Sequence, residues 1–399
     1  MKTMKSITVC GGGNAAHVVV PLLAVHGYRV TLYVPLDNEA TQFQKGAAEG
    51  GLEAHFPDGR VVRGSPALIT RDPREAADAD LILMVVPAFA HGPLLRQLAP
   101  HLPQKAVVGA IPARSGFELE ALYSLRDKVP EYTVFCGHTL PWACRIEQFG
   151  RLVRVLGIKQ TVGIAAVPAK SAPALAGLLG TALDVNFAPM ANSLAVSLGN
   201  IGQVIHPGIM YGLLKNYSGT IWSEADIPLF YQGVTEEAAA VLNNLSNEIV
   251  TTASRLSLEC GVDLSEVITV GQWLIRSYAR YIADSSSLCR AFRTNSSYRG
   301  LKMPVIEEKG GYVPDFRSRY LTEDIPYGLL FSRAAAAMAG NPTPCMDEVI
   351  GVASRWMNKA YLDSEGMLVG PDLKETRIPQ NYGINTAAEL VKTSLKGFL

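Results

Sequence analysis

Hydrophobic positions near the start of the chain fall into short continuous runs separated by a longer periodic stretch. Residues 6–10 (SITVC) are apolar and β-branched, residues 14–26 follow a glycine-rich break, and residues 29–34 (RVTLYV) form the next run. Short apolar runs of this kind predict buried strands, whereas the longer stretch predicts a helix that ends at Gly27. The pattern therefore predicts strand, turn, helix and strand, with Pro21 as a proline inside the helix.

The same alternation continues along the chain. Apolar runs at 81–87 (LILMVVP), 106–112 (AVVGAIP) and 132–137 (YTVFCG) are separated by stretches of helical character. Strands that alternate with helices are typical of βαβ units, so we predict an α/β fold with a doubly wound, Rossmann-type sheet in the N-terminal domain. Residues 152–167 predict a late hairpin or further strands near the edge of this domain.

The C-terminal half has a different pattern. From about Ala191 the strand signals fade, and apolar residues recur at intervals of three and four, as in residues 238–256. A second such helix, opened by Asp263 and Ser265, would extend to Ile282. We therefore predict a mainly α-helical C-terminal domain, with a boundary near residues 190–200 that gives domains of 1–195 and 196–399.

Composition excludes several classes of protein. Hydrophobic residues make up 48% and charged residues 18%, which is an ordinary globular balance. Basic and acidic residues number 36 each, so no overall field attracts nucleic acid. No apolar stretch approaches the roughly 18 residues of a membrane span, and the six scattered cysteines indicate reduced thiols in the cytosol. No spacing of histidine or cysteine indicates a metal site.

The break after the first strand carries a candidate cofactor site. It fits G-x-G-x-x-A, where the glycines allow a tight turn and a close approach to a pyrophosphate, and the last small residue allows helix and strand to pack. The pattern predicts binding of a dinucleotide by Gly11, Gly12, Gly13, Asn14, Ala15 and Ala16, with a bare structural turn as the alternative. The acid that usually ends the second strand to bind the ribose is missing from its expected place, and the nearest one is Asp37. No arginine follows the second strand to receive a 2′-phosphate, so NADH is favoured over NADPH.

Five separated motifs occur along the chain: CGGGNAAH at 10–17, VVPAFAH at 85–91, HTLPWACRI at 138–146, IHPG at 205–208 and RYLTEDIPYG at 319–328. Together they resemble the opine dehydrogenase family, particularly its invertebrate members, and the likeness covers nearly the whole chain. The family has an N-terminal Rossmann domain and a helical C-terminal domain. The resemblance implies an NAD-dependent oxidoreductase acting on a CH–NH group, which condenses pyruvate with an amino acid, reduces the imine with NADH and regenerates NAD⁺ for glycolysis.

The resemblance also implies two catalytic residues. His206 and Asp324 match the histidine and aspartate of the family's motifs, which form an acid/base dyad. An imidazole can donate a proton to a carbonyl or carbinolamine oxygen, while a carboxylate fixes its tautomer and stabilises the imidazolium. Judged from the residues alone, a histidine before a proline is more often a packing residue.

Further positions follow from the same likeness or from topology. Arg319 matches an arginine that reaches the cofactor pyrophosphate, although an arginine is more commonly part of a surface ion pair. Thr139 corresponds to a position near the keto acid, with a turn-satisfying threonine as the alternative. Ligands of doubly wound sheets bind beyond the strand ends, which places the nicotinamide near Pro87 and Phe89, after the fourth strand.

Three departures from the family bear on the amine substrate. His138 stands where the arginine-using enzyme has a glutamate, Arg114 replaces a glutamine and Gly202 replaces a tyrosine. A cationic amino acid would lose its counter-charge at such a site. We therefore expect a small neutral substrate such as glycine, alanine, β-alanine or taurine, with Arg114 pairing a carboxylate or sulfonate.

Two other functions remain open from the sequence. A reductase of the ketopantoate type would convert a 2-keto acid without any amine, and a non-catalytic NADH sensor would use the cofactor only to change conformation. The expected partners are pyruvate and an amino acid, without nucleic acid or membrane. The sequence leaves the oligomeric state open, a monomer included.

Overall fold

The computed structural model describes residues 4–129, 131–308 and 310–398. The chain divides into two compact units, one made of residues 4–197 with 391–398 and one of residues 198–390. The predicted second domain extended to the C-terminus, whereas the last residues belong to the first unit. There Ser193 Oγ donates a hydrogen bond to the Ser394 carbonyl at 2.7 Å.

The first unit contains two sheets. Its strands are β1 (Ser6–Cys10), β2 (Arg29–Tyr33), β3 (Leu52–His55), β4 (Val61–Gly64), β5 (Leu68–Thr70), β6 (Leu81–Met84), β7 (Lys105–Ala110), β8 (Glu131–Gly137), β9 (Trp142–Gln148), β10 (Leu152–Ile158), β11 (Val162–Val167) and β12 (Phe187–Pro189). Its helices are α1 (Asn14–Val25), α2 (Asp37–Ala48), α3 (Pro73–Ala77), α4 (Ala88–Leu98), α5 (Phe117–Leu125), α6 (Ala172–Leu183) and α7 (Ser193–Leu198), the last of which ends at the unit boundary.

The larger sheet has the order β12-β11-β8-β7-β6-β1-β2-β5. From β5 to β8 every pairing is parallel, which gives the Rossmann order with β6 as its fourth strand. β11 is antiparallel to β8, and β12 is parallel to β11. The doubly wound prediction is confirmed, and the ends of β1, β6, β7 and β8 lie along one edge of the sheet.

A second, four-stranded sheet with the order β4-β3-β10-β9 was not predicted. It covers the opposite side of α1, which contacts strands of both sheets. This explains why α1 is apolar almost all around, a pattern expected of a buried helix. It also corrects the expected hairpin at 152–167, because β10 and β11 belong to different sheets.

Pro21 lies inside α1 without ending it. A neighbouring strand comes close to the helix backbone here because β4 ends in a glycine: a β-carbon at Gly64 would lie 3.0 Å from both the Pro21 Cα and its carbonyl oxygen. The helix therefore loses one backbone hydrogen bond at this proline but keeps its packing.

The second unit is mainly helical. Its elements are α8 (Gly202–Leu214), α9 (Glu236–Cys260), α10 (Val270–Tyr278), α11 (Leu288–Thr294), the hairpin β13 (Val305–Glu308) and β14 (Gly311–Pro314), α12 (Arg319–Thr322), α13 (Leu330–Met338), α14 (Pro344–Met357) and α15 (Ala387–Lys396), whose last turns belong to the first unit. A single π-turn, Ile325–Leu329, joins α12 to α13.

Helix α8 lies at the centre of this unit. Most of its residues are buried, and it contacts α9, α12 and α14. Glycines allow the close crossing with α9, since a β-carbon at Gly212 would lie 2.6 Å from the Ala238 Cβ. A functional side chain on α8 is therefore held by packing on several sides.

The predicted second helix of this half begins later than expected. Thr269 caps α10 through a hydrogen bond from the Gln272 backbone N–H, with the Gln272 side chain returning to the Thr269 N–H. Asp263 and Ser265 instead form a separate local turn, joined by a bond of 2.7 Å between the serine hydroxyl and the carboxylate. Both sets are capping chemistry, and only Thr269 with Gln272 starts a helix.

Candidate active site

The glycine turn joins β1 to α1 as predicted. Gly11 has a φ of +118°, and a β-carbon there would lie 2.4 Å from Val86 Cγ1, so glycine is required by both conformation and space. At Gly13 the backbone is extended, and a β-carbon would meet nothing within 4 Å among the described residues. The first N–H groups of α1 thus adjoin open space, as an anion site at a helix N-terminus requires.

Two side chains near this turn have structural partners. Asn14 Oδ1 accepts a hydrogen bond of 2.7 Å from the Ile146 N–H, which fixes β9 to the start of α1. His17, three residues after Asn14 on α1, is fully buried. A dinucleotide at this turn would therefore contact mainly backbone, while Asn14 supports the turn from behind. Ala15 and Ala16 are buried against the sheets, the role expected of small residues here.

His17 links the same helix to a neighbouring loop. Its Nε2 accepts from the Gly150 N–H at 2.7 Å, so Nδ1 carries the proton and donates to the Gly13 carbonyl at 2.9 Å. Burial lowers the pKa of His17 to about 4 despite that carbonyl. The imidazole is therefore neutral and structural.

Acidic residues do approach the turn from α2, which begins after the second strand. A β-carbon at Gly12 would lie 2.5 Å from Glu39 Oε2, and burial raises the pKa of Glu39. Asp37, the acid noted in the sequence, instead forms an ion pair with Arg71, which follows β5. Glu39 is therefore an acid that reaches the glycine turn, and the sequence analysis missed it.

The segment proposed to lie against the nicotinamide follows β6. Pro87 caps α4, and the Phe89 ring on its first turn is 57% exposed. Val86, just before them, contacts the glycine turn at Gly11, as described above. Backbone at the end of the fourth strand therefore adjoins backbone of the turn within one unit.

The candidate substrate residues of the first unit follow β7 and β8, which are neighbours. The Ala113 N–H donates to the Gly137 carbonyl at 2.9 Å, so the segments carrying Arg114 and His138 continue side by side past the strands. Arg114 has a φ of +61°, a left-handed conformation uncommon outside glycine. Thr139 is half-buried in the loop that leads to β9. The structure thus places Arg114, His138 and Thr139 at one edge of the sheet.

In the second unit the structure brings His206 and Asp324 together. His206 Nδ1 lies 2.7 Å from Asp324 Oδ2, although 118 positions separate them. Asp324 immediately precedes the π-turn, and its side chain is 2% exposed, whereas that of His206 is 18% exposed. The carboxylate therefore accepts from Nδ1–H in a nearly dry environment and leaves Nε2 to act on a ligand.

Aromatic rings enclose this histidine. The Tyr320 ring stacks on His206 with centroids 4.1 Å apart, and the Tyr231 hydroxyl lies 3.2 Å from Nε2. Tyr231 in turn stacks on Tyr298 at 4.1 Å. Burial raises the pKa of Tyr231 well above its ordinary value, so the phenol is protonated and donates to Nε2. Both ring nitrogens and one ring face of the imidazole are thus positioned.

The two remaining candidates of this unit have contrasting settings. Gly202 begins α8 one turn before His206, hence on the same helix face, and it is buried. Arg319 Nε donates to Glu323 Oε2 at 3.0 Å within the first turn of α12. In this structure Arg319 thus forms the local ion pair considered as its alternative, with 58% of its side chain exposed.

The geometry indicates acid/base chemistry in the second unit and a nucleotide-type turn in the first. Among the described residues, no group of three or more histidine, cysteine or acidic side chains could hold a metal ion. No helix in the described part of the chain is long and apolar enough to cross a membrane. A proton donor with a fixed tautomer and a cofactor turn are the two requirements of a nicotinamide-dependent reduction.

Comparison with known proteins agrees with this chemistry. Residues 189–357 match the family described as NAD/NADP octopine/nopaline dehydrogenase, alpha-helical domain. An opine dehydrogenase of Haliotis discus hannai is 36% identical over 97% of this chain and 98% of its own length. A tauropine dehydrogenase of Arabella iricolor is 35% identical over 96% of the chain and 99% of its own. A solved octopine dehydrogenase with NADH and L-arginine matches 98% of each chain at 34% identity and a TM-score of 0.89.

The chain belongs to the opine dehydrogenase family. The resemblance stated from the five motifs is confirmed, and with it the Rossmann and helical architecture. Opine dehydrogenases are NAD-dependent oxidoreductases, and the glycine turn of this family member fits such a cofactor by the open space at Gly13.

Sequence analysis missed several residues around this opine dehydrogenase site. Tyr231 and Tyr320 contact His206, Glu323 pairs with Arg319, and Glu39 reaches the glycine turn. Glu323 alone had a signal, because it lies four positions after Arg319 on a short helical segment. Tyr231 had none, since a tyrosine in a loop carries no pattern that points to a distant histidine.

Proposed function

We propose that this protein uses NADH to reduce the imine formed from pyruvate and a small neutral amino acid, with glycine, alanine, β-alanine and taurine as the candidates. The observation that carries the proposal is the bond of 2.7 Å between His206 Nδ1 and Asp324 Oδ2. It supplies a histidine with a defined tautomer in a family that acts on imines. The product would be a secondary amine with two acidic groups.

Different residues of the chain are proposed to have different roles in this reaction. Protonated His206 donates from Nε2 to the hydroxyl of the carbinolamine, which leaves as water as the C=N bond forms. Asp324 stabilises the imidazolium during this step. Bound NADH supplies the hydride that completes the reduction. Overall, pyruvate, amine, NADH and one proton give the secondary amine, NAD⁺ and water.

Backbone of the glycine turn is proposed to hold the cofactor pyrophosphate. Gly11, Gly12 and Gly13 permit close approach, and the N–H groups of α1 complement the negative charge. Pro87 and Phe89 are proposed to lie beside the nicotinamide. Arg319 is proposed to exchange the Glu323 carboxylate for phosphate oxygens, which its planar guanidinium can pair two at a time.

The proposed substrate class rests on charge and space. Arg114 and His138 lie at the sheet edge beside Thr139, and neither provides a negative charge for a guanidinium or ammonium side chain. Gly202 offers no ring to pack against a long substrate. A short amine with one carboxylate or sulfonate suits this set, with Arg114 pairing the acid and Thr139 donating to pyruvate.

An amine panel tests the proposal directly. NADH oxidation is measured at 340 nm with pyruvate and each of glycine, L-alanine, β-alanine, taurine and L-arginine, with an amine-free reaction as control. We expect turnover to require the amine and a small neutral amine to give the highest kcat/KM. Oxidation without an amine would contradict the imine reaction, and arginine as the best substrate would contradict the substrate class.

A further inference from the structure

The lysine that precedes β11 lies beside the candidate substrate loop. Lys159 Nζ donates to the Leu140 carbonyl at 2.7 Å, and the Lys159 N–H donates to the Pro141 carbonyl at 2.9 Å. Leu140 and Pro141 directly follow Thr139. One lysine therefore fixes this loop through both its backbone and its side chain.

Three segments converge at this place. The chain after β7 carries Arg114, the chain after β8 carries His138 and Thr139, and the chain before β11 carries Lys159. The His138 N–H donates to the Gly163 carbonyl at 2.9 Å, which fastens the second segment to the third. The convergence occurs beyond the ends of β7 and β8, at the edge where doubly wound sheets bind ligands.

Charge accumulates at this convergence. Lys159 is half-buried, and its Nζ donates to a neutral carbonyl, that of Leu140. Its ammonium has two donors left after the bond to Leu140. The Arg114 guanidinium is near enough to act on it electrostatically. Both side chains carry a positive charge, and an anion bound within reach of both would be attracted by each of them.

We propose that Lys159, with Arg114, forms a binding site for the acidic group of the amine substrate, a carboxylate or a sulfonate. This inference rests on the proposed function and adds a residue that selects for a substrate with a negative charge. Lys159 is a binding residue here, and its bond to Leu140 ties the anion site to the position of Thr139.

The protonation of Lys159 gives the site a pH dependence. Burial, and then the charge of Arg114, lowers the pKa of Lys159 to about 8, whereas the nearby Cys144 thiol opposes this shift. Burial raises the pKa of Cys144 to about 11, so that thiol is neutral at pH 8. Lys159 therefore holds its charge below pH 8 and loses it above, and anion affinity should decline over that range.

Inhibition by simple anions tests this without the titrating amine of a substrate. The probes are ethanesulfonate and propionate, with the inhibition constant measured from pH 6.5 to 9.5 for wild type, Lys159→Gln and Lys159→Arg. Glutamine keeps a donor for the Leu140 carbonyl but carries no charge, and arginine stays charged throughout. Lys170→Gln, an exposed lysine of the same unit, is the matched control.

We expect competition with the amine and an inhibition constant that rises above pH 8 in wild type. It should stay flat in both Lys159 variants, weaker by about tenfold or more in Lys159→Gln, as the loss of a charged hydrogen bond implies. Lys159→Gln should raise KM for the amine with little change in kcat or in the dissociation constant of NADH.

A wild-type pH profile retained in Lys159→Gln, or competition with pyruvate instead of the amine, would overturn the inference. Absence of turnover with every amine would contradict the proposed function instead. The anion site would still be decided in that case by direct titration of ethanesulfonate onto the NADH-bound protein.

Discussion

The candidate sites of the two units are made of different groups, backbone in the first unit and side chains in the second. In the first unit the cofactor turn consists of backbone from consecutive residues, 11–16, and its chemistry is that of free N–H groups at a helix start. In the second unit the site consists of side chains, His206 and Asp324, that are 118 positions apart and meet only in the folded chain. A backbone site can be identified from a short motif, whereas a side-chain site depends on the whole unit.

The same contrast holds for two histidines. His17 is fully buried between backbone partners and has its pKa lowered to about 4, so it serves structure. His206 faces a buried carboxylate on one nitrogen and keeps the other toward a phenol. The function of each imidazole thus depends on what its Nε2 contacts, which is a backbone N–H in His17 and a phenol in His206.

The largest effect is expected when the negative charge of Asp324 is removed from the side-chain site. Asp324→Asn keeps the shape but leaves the imidazolium without a counter-charge, and we expect kcat to fall by about 10²–10⁴-fold, the usual contribution of acid/base catalysis. NADH affinity should be unchanged, because the glycine turn is not altered. Steady-state kinetics and NADH titration measure the two effects.

Asp226→Asn, an exposed aspartate of the same unit, serves as the control and should keep full activity. If Asp324→Asn retained wild-type kcat, the dyad would have no part in turnover, and the distinction drawn between the two histidines would fail.

The second prediction concerns stability. An unfolded histidine has a pKa near 6.5 and folded His17 about 4, so the unfolded chain binds more protons between these values. The free energy of unfolding should therefore fall as pH decreases from 6.5 to 4, by up to about 3 kcal/mol from this residue. Above pH 6.5 His17 contributes no slope.

His17→Gln should remove that part of the pH dependence, since an amide can keep both backbone hydrogen bonds without titrating. Urea unfolding of the first unit at several pH values measures it, with the exposed His101→Gln as control. An unchanged slope in His17→Gln would show that another group controls acid stability.

These contrasts explain which structural elements could be predicted from the sequence and which could not. The strands after the glycine turn were evident because buried parallel strands are continuous apolar runs. The second sheet was missed because β3 and β4 have four residues each, too few for a clear period. The start of α10 was misplaced because Asp263 and Ser265 offer the same capping chemistry as Thr269.

The candidate site divides in the same way. The glycine turn follows from spacing alone, but His206 was selected among seven histidines only by resemblance. The aromatic neighbours of His206, Tyr231 and Tyr320, are 25 and 114 positions away from it in the sequence. No local pattern encodes such distances, because tertiary packing brings these rings together.

The third prediction tests the backbone site. Gly13→Ala should leave the melting temperature of the free protein nearly unchanged, because a β-carbon there meets no described atom within 4 Å. NADH should bind about tenfold or more weakly, since the methyl group would occupy space that the pyrophosphate needs. Titration of NADH by fluorescence measures the change.

Gly177→Ala on α6 is the matched control, as its β-carbon also meets nothing within 4 Å among the described residues. Gly12→Ala is less informative, because its β-carbon would collide with Glu39 in the free protein. Unaltered NADH affinity in Gly13→Ala would mean that the cofactor does not occupy the open space at this turn.

The smallest expected effect concerns the phenol beside the proposed catalytic imidazole of His206. Tyr231 donates to Nε2 of neutral His206 at 3.2 Å, whereas in the proposed reaction the same atom is protonated and donates to the substrate, so this bond has to be replaced. Tyr231→Phe keeps the stack on Tyr298 and loses one neutral hydrogen bond, worth about 1 kcal/mol, so kcat/KM should change by about fivefold or less. Tyr281→Phe, on a partly exposed ring, is the control. A hundredfold fall in kcat would instead make the phenol a proton donor, and the second site would then depend on three side chains, which would widen its contrast with the backbone turn.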